Sequence, residues 1–209
     1  MILYSANKRE LLDPFGLFDG VEYIEHPEDL RSGVLILWGG EDIGTSLYGE
    51  TPNKMCRDFK PSVRDLREIA LIKQAKRHNV PIIGICRGAQ LMCVVSGGKL
   101  AQHINGHGWH HRVALHDEGG VEVVCNSSHH QMMIPAADAK ILATAGAASG
   151  LGEGNMEQYH ERVNEVVYFP TLNGLGIQAH PEWDDCSDDF ISYCRRKIKE
   201  YLNAKPLYI

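Results

Sequence analysis

The chain has no Cys-x-x-Cys pair: its six cysteines stand apart at Cys56, Cys86, Cys93, Cys125, Cys186 and Cys194. A chain of 209 residues is also long enough to bury a core without staples, so a disulfide framework is not expected. It has no apolar run of membrane-spanning length, and its opening, MILYSANKRELLD, carries no apolar segment long enough for export. Nor does it have a surplus of positive charge. Against 27 acidic residues it sets 21 basic ones, a net charge of −6, which is not the electrostatic footprint of a nucleic-acid binder. Internal repeats, low-complexity tracts and linkers are missing too, and residues 1–209 read as one domain. These absences predict a cytoplasmic protein in a reducing setting, with neither a membrane nor nucleic acid among its partners.

What the chain does have is short apolar runs alternating with helical windows. GVLILW at Gly33–Trp38 and the stretch Val80–Ile85 are continuous apolar runs, the pattern of parallel strands covered on both faces. Between them Ser62–His78 reads as a helix with Ser62 as N-cap and apolar residues at Val63, Leu66, Ile69, Ala70 and Ile72. Ile2–Tyr4 and Val21–Glu25 add strands, Lys8–Phe18 a short helix or turn region, and Gly88–Val95 a second helix. The later part changes character. Arg112–His116 and Gly120–Cys125 resemble a hairpin, Ile141–Ala145, Met156–His160 and Glu165–Phe169 follow as short strands, Gly174–Gln178 is again compact and apolar, and Asp188–Leu202 is a closing helix. The pattern predicts an α/β, flavodoxin-like doubly wound sheet, mostly parallel and flanked by helices, with a small antiparallel addition.

Cys86 ends one of the buried strands and is followed at once by a helix opening at Gly88. An isolated cysteine in such a place is usually a core residue. Here Gly84 and Gly88 stand at −2 and +2, the G-x-nucleophile-x-G spacing of a nucleophile elbow, in which glycines leave room for a tight strand-to-helix turn. A thiol attacks as thiolate, and a helix N-terminus beside an imidazole favours that form. Of eleven histidines, His180 follows the strand-like GLGIQA and opens His180-Pro181-Glu182. Both Cys86 and His180 would therefore fall at carboxyl ends of strands, where open α/β sheets gather their sites. Glu182 is placed to orient the imidazole. His129-His130 and His107-x-x-His110-His111 raise the question of a metal, but zinc needs three or four ligands. No cysteine or carboxylate frame stands at matching spacing, so no metal and no other cofactor is expected.

Together, GGEDIGTSLYGE, GICRGAQLM, GGKLAQHI, NSSHHQ and GIQAHPEW resemble, in order, the class I glutamine amidotransferase superfamily, and within it the γ-glutamyl-γ-aminobutyrate hydrolase branch. The resemblance spans most of the chain from Leu35 to Trp183. It implies Cys86 as nucleophile, His180 as general base and acid, Glu182 as the orienting carboxylate, and the backbone N–H groups of Gly40 and Arg87 as oxyanion donors. It implies substrate contacts from Gln90 and from the loop carrying Ser127, Ser128, His129 and His130, and it makes His103 and His107–His111 rim residues. The implied reaction is hydrolysis of a small-molecule γ-glutamyl amide without a cofactor. A glutaminase that hands ammonia to a separate synthetase partner chain uses the same residues, and a homo-oligomer is compatible with either. The chain departs from the pattern at Trp38, where proline usually precedes the Gly-Gly pair, and at Ala179, where an aromatic residue is common and alanine would widen the pocket. Its N-terminal β-α-β portion is also abbreviated.

Overall fold

Val34–Leu37, Ile82–Ile85 and Gly174–Ile177 are buried at every position, as strands covered on both faces must be. The computed structural model describes residues 1–56 and 59–202, and these three runs form the middle of a nine-stranded sheet. In chain order its strands are β1 (Ile2–Ser5), β2 (Gly20–Tyr23), β3 (Val34–Leu37), β4 (Ile82–Ile85), β5 (His111–Leu115), β6 (Val121–Cys125), β7 (Lys140–Ala145), β8 (Val163–Phe169) and β9 (Gly174–Ile177). Their order across the sheet is β2-β1-β3-β4-β9-β8-β7-β5-β6. The first five pair in parallel and, counted alone, follow the 2-1-3-4-5 order of flavodoxin-like folds. The remaining four are antiparallel. The expected α/β sheet is present, and its antiparallel addition supplies four of the nine strands.

Three helices cover it: α1 (Val63–His78), α2 (Arg87–Val95) and α3 (Asp188–Lys197). Ser62 caps α1 as expected. Its hydroxyl accepts the Asp65 N–H while the Asp65 carboxylate accepts the Ser62 N–H, a capping box. The buried face of α1 is not the one that the apolar spacing suggests. Val63 and Leu66 are exposed, whereas Asp65, Glu68, Leu71, Ile72 and Ala75 are buried. The reason is Arg87, buried at the start of α2, whose guanidinium pairs with both carboxylates; buried charge is tolerated where it is paired. Leu71, Ile72 and Ala75 pack with Ala89, Leu91 and Met92 against one face of the sheet. On the other face Phe190, Tyr193 and Cys194 of α3 meet Leu3, Ile83, Ile85 and Ile177.

The β1-to-β2 crossover is abbreviated, as the sequence predicts, and residues 8–18 form turns without a helix. The Asp13 carboxylate accepts the N–H groups of Phe15, Leu17 and Phe18, which turns the segment so that Phe15 enters the core under α3. Of the short strands outside this sheet, Glu157–His160 falls where Met156–His160 is expected, and the others carry no readable periodicity. His103–Ile104, Ala148–Leu151 and Glu157–His160 form a small sheet of their own, and Lys99–Ala101 pairs with Met132–Ile134. After α3 the closing helix ends in a π-helical turn, Ile198–Leu202. Among the described residues no helix is long and apolar enough to cross a membrane.

Candidate active site

Strand register brings three segments level at the carboxyl ends of the central strands. Leu37 lies beside Gly84, and Ile85 beside Ile177, so Gly39, Cys86 and Gln178 leave the carboxyl ends of β3, β4 and β9 side by side. The Cys86 N–H donates to the Ile177 carbonyl at 2.7 Å, which ties the turn to β9. Cys86 has φ 47° and ψ −108°, outside the regions open to a residue with a Cβ, and it is the N-cap of α2. The two flanking glycines are required by close approach. A Cβ on Gly84 would stand 2.6 Å from Met92 Sδ and 2.7 Å from the Ala89 nitrogen, and one on Gly88 would stand 2.4 Å from the Leu37 carbonyl oxygen.

His180 Nδ1 lies 2.7 Å from Glu182 Oε1, and the ring and Cys86 both stand against Gly39. Burial alone would push the imidazole down. The neighbouring Cys86 and then Glu182 outweigh it, and the group rises from 6.5 to about 9. Trp183 stacks flat on the imidazole, with ring centroids 3.9 Å apart and planes 6° from parallel. Asn126 grips the His180 backbone, donating to its carbonyl and accepting from its N–H. Gln178 Nε2 reaches Cys86 Sγ at 3.6 Å, and Gln90 Nε2 in turn donates to Gln178 Oε1 at 3.3 Å. Among the other cysteines, burial pushes the thiols of Cys56 and Cys93 up to about 12 and that of Cys186 to about 11, and Cys125 and Cys194 rise as well.

Gly39 touches the pair directly: a Cβ there would stand 2.8 Å from His180 Cε1 and 3.5 Å from Cys86 Cβ. Gly40 has φ 138°, and the space beside it holds the Arg64 guanidinium. Arg64 Nη2 donates to the carbonyls of Trp38 and Gly39, both at 3.0 Å, while its Nε donates to Glu68 at 2.8 Å. Because a trans peptide points its C=O and N–H in opposite directions, capture of the Gly39 carbonyl by Arg64 turns the Gly40 N–H the other way. Arg87 adds its side chain to the same network, pairing with Asp65 and Glu68 and donating from Nε to the Glu41 carbonyl at 3.1 Å. The sequence points to the backbone N–H of Arg87; the structure adds a buried guanidinium that fixes the loop after β3. Trp38, in the usual proline position, is also buried, and its indole N–H donates to Ser5 Oγ at 2.9 Å.

Not all of the expected substrate contacts face open space. Ser128 is exposed and His130 half-buried, with His130 Nε2 3.0 Å from Asp42 Oδ1 and Nδ1 3.3 Å from His103 Nδ1. Ser127 and His129 are buried and taken up by protein partners: Ser127 Oγ donates to the His107 carbonyl, and His129 faces Glu165. Ala179 is buried in the core under α3 and does not widen a pocket. Around Glu165 the structure also corrects the ground for expecting no metal. The carboxylate missing from the local spacing comes from β8, with Glu165 Oε1 3.0 Å from His111 Nε2, 3.5 Å from His129 Nε2 and 3.6 Å from His107 Nδ1. Burial would raise the Glu165 carboxyl, but the three imidazoles, His129 foremost, hold it well below the usual range.

Comparison with known proteins matches this arrangement to one family. Residues 29–182 match Peptidase C26. A putative glutamine amidotransferase-like protein of Lactococcus lactis is 30% identical over 169 residues, which cover 71% of this chain and 65% of that protein. The chain thus spans slightly less than two thirds of that relative's length. The gamma-glutamyl-gamma-aminobutyrate hydrolase of Escherichia coli O157:H7 is 24% identical over 201 residues, covering 80% of this chain and 74% of that protein. The crystal structure of a glutamine amidotransferase from Thermotoga maritima shares the fold, with a TM-score of 0.53 at 14% identity over 97% of this chain and 88% of that one. The chain belongs to the Peptidase C26 family, a class I glutamine amidotransferase-like group.

Proposed function

We propose that this chain, as one domain, is a cysteine hydrolase of γ-glutamyl amide bonds, with Cys86 as nucleophile, His180 as general acid and base, and Glu182 as its orienting carboxylate. One observation carries the reading: a cysteine held in strained backbone at a helix N-terminus, beside an imidazole that is itself 2.7 Å from a carboxylate. Strain of this kind persists where the surrounding structure over-determines it, and it clusters at functional sites. The substrate class is supported by the γ-glutamyl hydrolase named among the relatives.

In the proposed reaction the Cys86 thiolate attacks the γ-carbonyl carbon, forming a C–S bond, and the carbonyl oxygen becomes an oxyanion. The N–H groups of Gly40 and Arg87 receive it; the Arg64 grip on the Gly39 carbonyl supports this role for Gly40. His180 gives its proton to the leaving nitrogen, the C–N bond breaks, and a γ-glutamyl thioester remains. His180 then takes a proton from water, whose oxygen attacks the thioester carbon. Glutamate is released, and the thiolate and imidazolium are restored. Gln90, Ser128 and His130 stay as candidates for substrate contact, since Gln90 adjoins Gln178 beside Cys86 and the other two face outward.

The test is glutamate release from a panel of γ-glutamyl amines and glutamine, with Cys86→Ala as control. Turnover of γ-glutamyl amines by the chain alone, lost in the variant, is expected. Unchanged turnover in Cys86→Ala would remove the mechanism. Hydrolysis of glutamine alone, and only when a synthetase chain is added, would replace the hydrolase with an ammonia-supplying glutaminase.

A further inference from the structure

We propose that His107, His111 and Glu165 form a binding site for a divalent transition metal of the zinc class, with His129 packed beside it. Three imidazole nitrogens surround a single carboxylate oxygen at 3.0, 3.5 and 3.6 Å. Bonds of 2.0–2.1 Å to nitrogen and oxygen in tetrahedral geometry put neighbouring ligand atoms about 3.3–3.4 Å apart, close to the 3.0 and 3.6 Å that separate His111 Nε2 and His107 Nδ1 from Glu165 Oε1. His107, His111 and Glu165 each offer a donor atom, and all three atoms lie within 4.8 Å of one another.

A second observation, independent of those distances, is the set of orphaned atoms. His107 Nδ1, His129 Nε2 and Glu165 Oε2 are buried without a hydrogen-bond partner, although buried polar atoms in folded proteins are nearly always paired. The side chains of His129 and Glu165 are 1% and 0% exposed, so solvent does not satisfy them. Nitrogen donors with one carboxylate suit zinc rather than calcium or magnesium, which take oxygen ligands. His129 Nδ1 lies 2.8 Å from the Gln131 carbonyl, which turns its Nε2 toward Glu165 Oε1 at 3.5 Å. Cys125 Sγ lies 3.6 Å from His111 Nε2 and packs against the same cluster. A surface recess lined by Gly106, His107, Ser128 and His129 gives a way in.

The task of this metal is structural. His107 and His111 belong to one segment and Glu165 to β8. The metal joins them directly behind the wall of the active site. The Glu165 carbonyl accepts the Gln178 N–H at 2.8 Å, and Asn126 holds His180. No step of the hydrolysis passes through it.

The experiment uses the full chain, stripped with a chelator and titrated with Zn²⁺ and Co²⁺. About one metal per chain by elemental analysis is expected, together with the visible bands of tetrahedral Co²⁺. A melting temperature higher by about 5–10 °C is expected at a hundredfold excess over Kd. His111→Ala, at the most accessible ligand, should weaken Co²⁺ binding by more than about 100-fold, since even the loss of an outer partner costs 10–100-fold. Cys86→Ala should leave stoichiometry and spectrum unchanged. No uptake by the wild-type chain would overturn the proposal and leave a proton shared among the three imidazoles. Uptake that survives in His111→Ala but disappears in Cys86→Ala would overturn it equally, because the metal would then sit on Cys86 and His180.

Discussion

Asn126 holds the backbone of His180 from both sides: its Nδ2 donates to the His180 carbonyl at 2.8 Å, and its Oδ1 accepts the His180 N–H at 3.0 Å. The same Nδ2 also donates to Asp185 Oδ1 at 2.8 Å, which keeps the amide from turning. Backbone pairing with β8 continues past Ile177 at Gln178, whose N–H donates to the Glu165 carbonyl at 2.8 Å, and at His180 the backbone is held by this clamp. Asn126→Ala should lower kcat by about 10²-fold, the cost of a misplacement of roughly 1 Å, with KM little changed. Steady-state kinetics on a folded variant checks it, and an unchanged kcat would leave Asn126 with a purely structural role.

Glu182 shares with Cys86 the raising of the His180 proton affinity. Against the pull of burial, Cys86 and then the Glu182 carboxylate at 2.7 Å raise the imidazole to about 9. The folded state therefore binds this proton more tightly than the unfolded chain, whose ordinary value is 6.5. Its contribution to stability is complete below about pH 6.5 and is lost as pH rises through about 9. The imidazolium that must protonate the leaving amine disappears over the same range. Glu182→Gln removes the charge and keeps the shape. The alkaline limb of kcat/KM against pH should move down by one unit or more, and the melting temperature should fall at pH 6 but hardly at pH 10. A limb that stays in place would show that Glu182 does not tune His180.

Legibility in the sequence followed distance along the chain. Gly84, Cys86 and Gly88 stand within one turn, so the elbow shows in spacing, whereas His180-Pro181-Glu182 alone reads as a surface turn and gains meaning only when paired with that elbow. The short strands Lys99–Ala101 and His103–Ile104 are too brief for any period to show. The buried face of α1 was misread because Asp65 and Glu68 count as surface residues until Arg87 is known to lie against them. Glu165 was missed for a similar reason. It stands 54 positions from His111, and only the antiparallel half of the sheet brings β8 near β5 through β7. Ser127 and His129 sit in a recognisable loop, but a motif does not reveal which of its side chains turn inward.

The ion network behind the oxyanion loop should be a weak point for stability. Arg87 is 2% exposed, Asp65 0% and Glu68 1%, so Arg87→Met would leave two buried carboxylates without their shared partner. Arg64 would remain on Glu68 alone. Breaking a buried pair in this way costs about 3–5 kcal/mol, a large share of the stability of an ordinary domain. Urea denaturation should show a midpoint shift of that size, and the variant should also lose turnover as the Glu41 carbonyl is released. Arg87→Lys keeps the charge but cannot serve both carboxylates and that carbonyl with one fork, so it should recover stability only in part. A midpoint within about 0.5 kcal/mol of wild type would show that the network contributes no net stability.

The strain at Cys86 gives a prediction that separates function from stability. A non-glycine residue at φ 47° and ψ −108° is held against its own sterics at a cost on the order of 1–3 kcal/mol. Cys86→Ala removes the thiol but retains a Cβ, and with it the strain. Cys86→Gly removes both, and glycine takes up positive φ without steric penalty. Glycine ordinarily lowers stability relative to alanine through the entropy of the unfolded chain, by about 0.4–1 kcal/mol. At this one position the order should reverse. Both variants should be inactive, yet Cys86→Gly should unfold at higher denaturant than Cys86→Ala, by a margin equivalent to about 1 kcal/mol or more. The ordinary order, with alanine the more stable, would mean that the turn imposes no strain and that Cys86 takes its conformation at no cost.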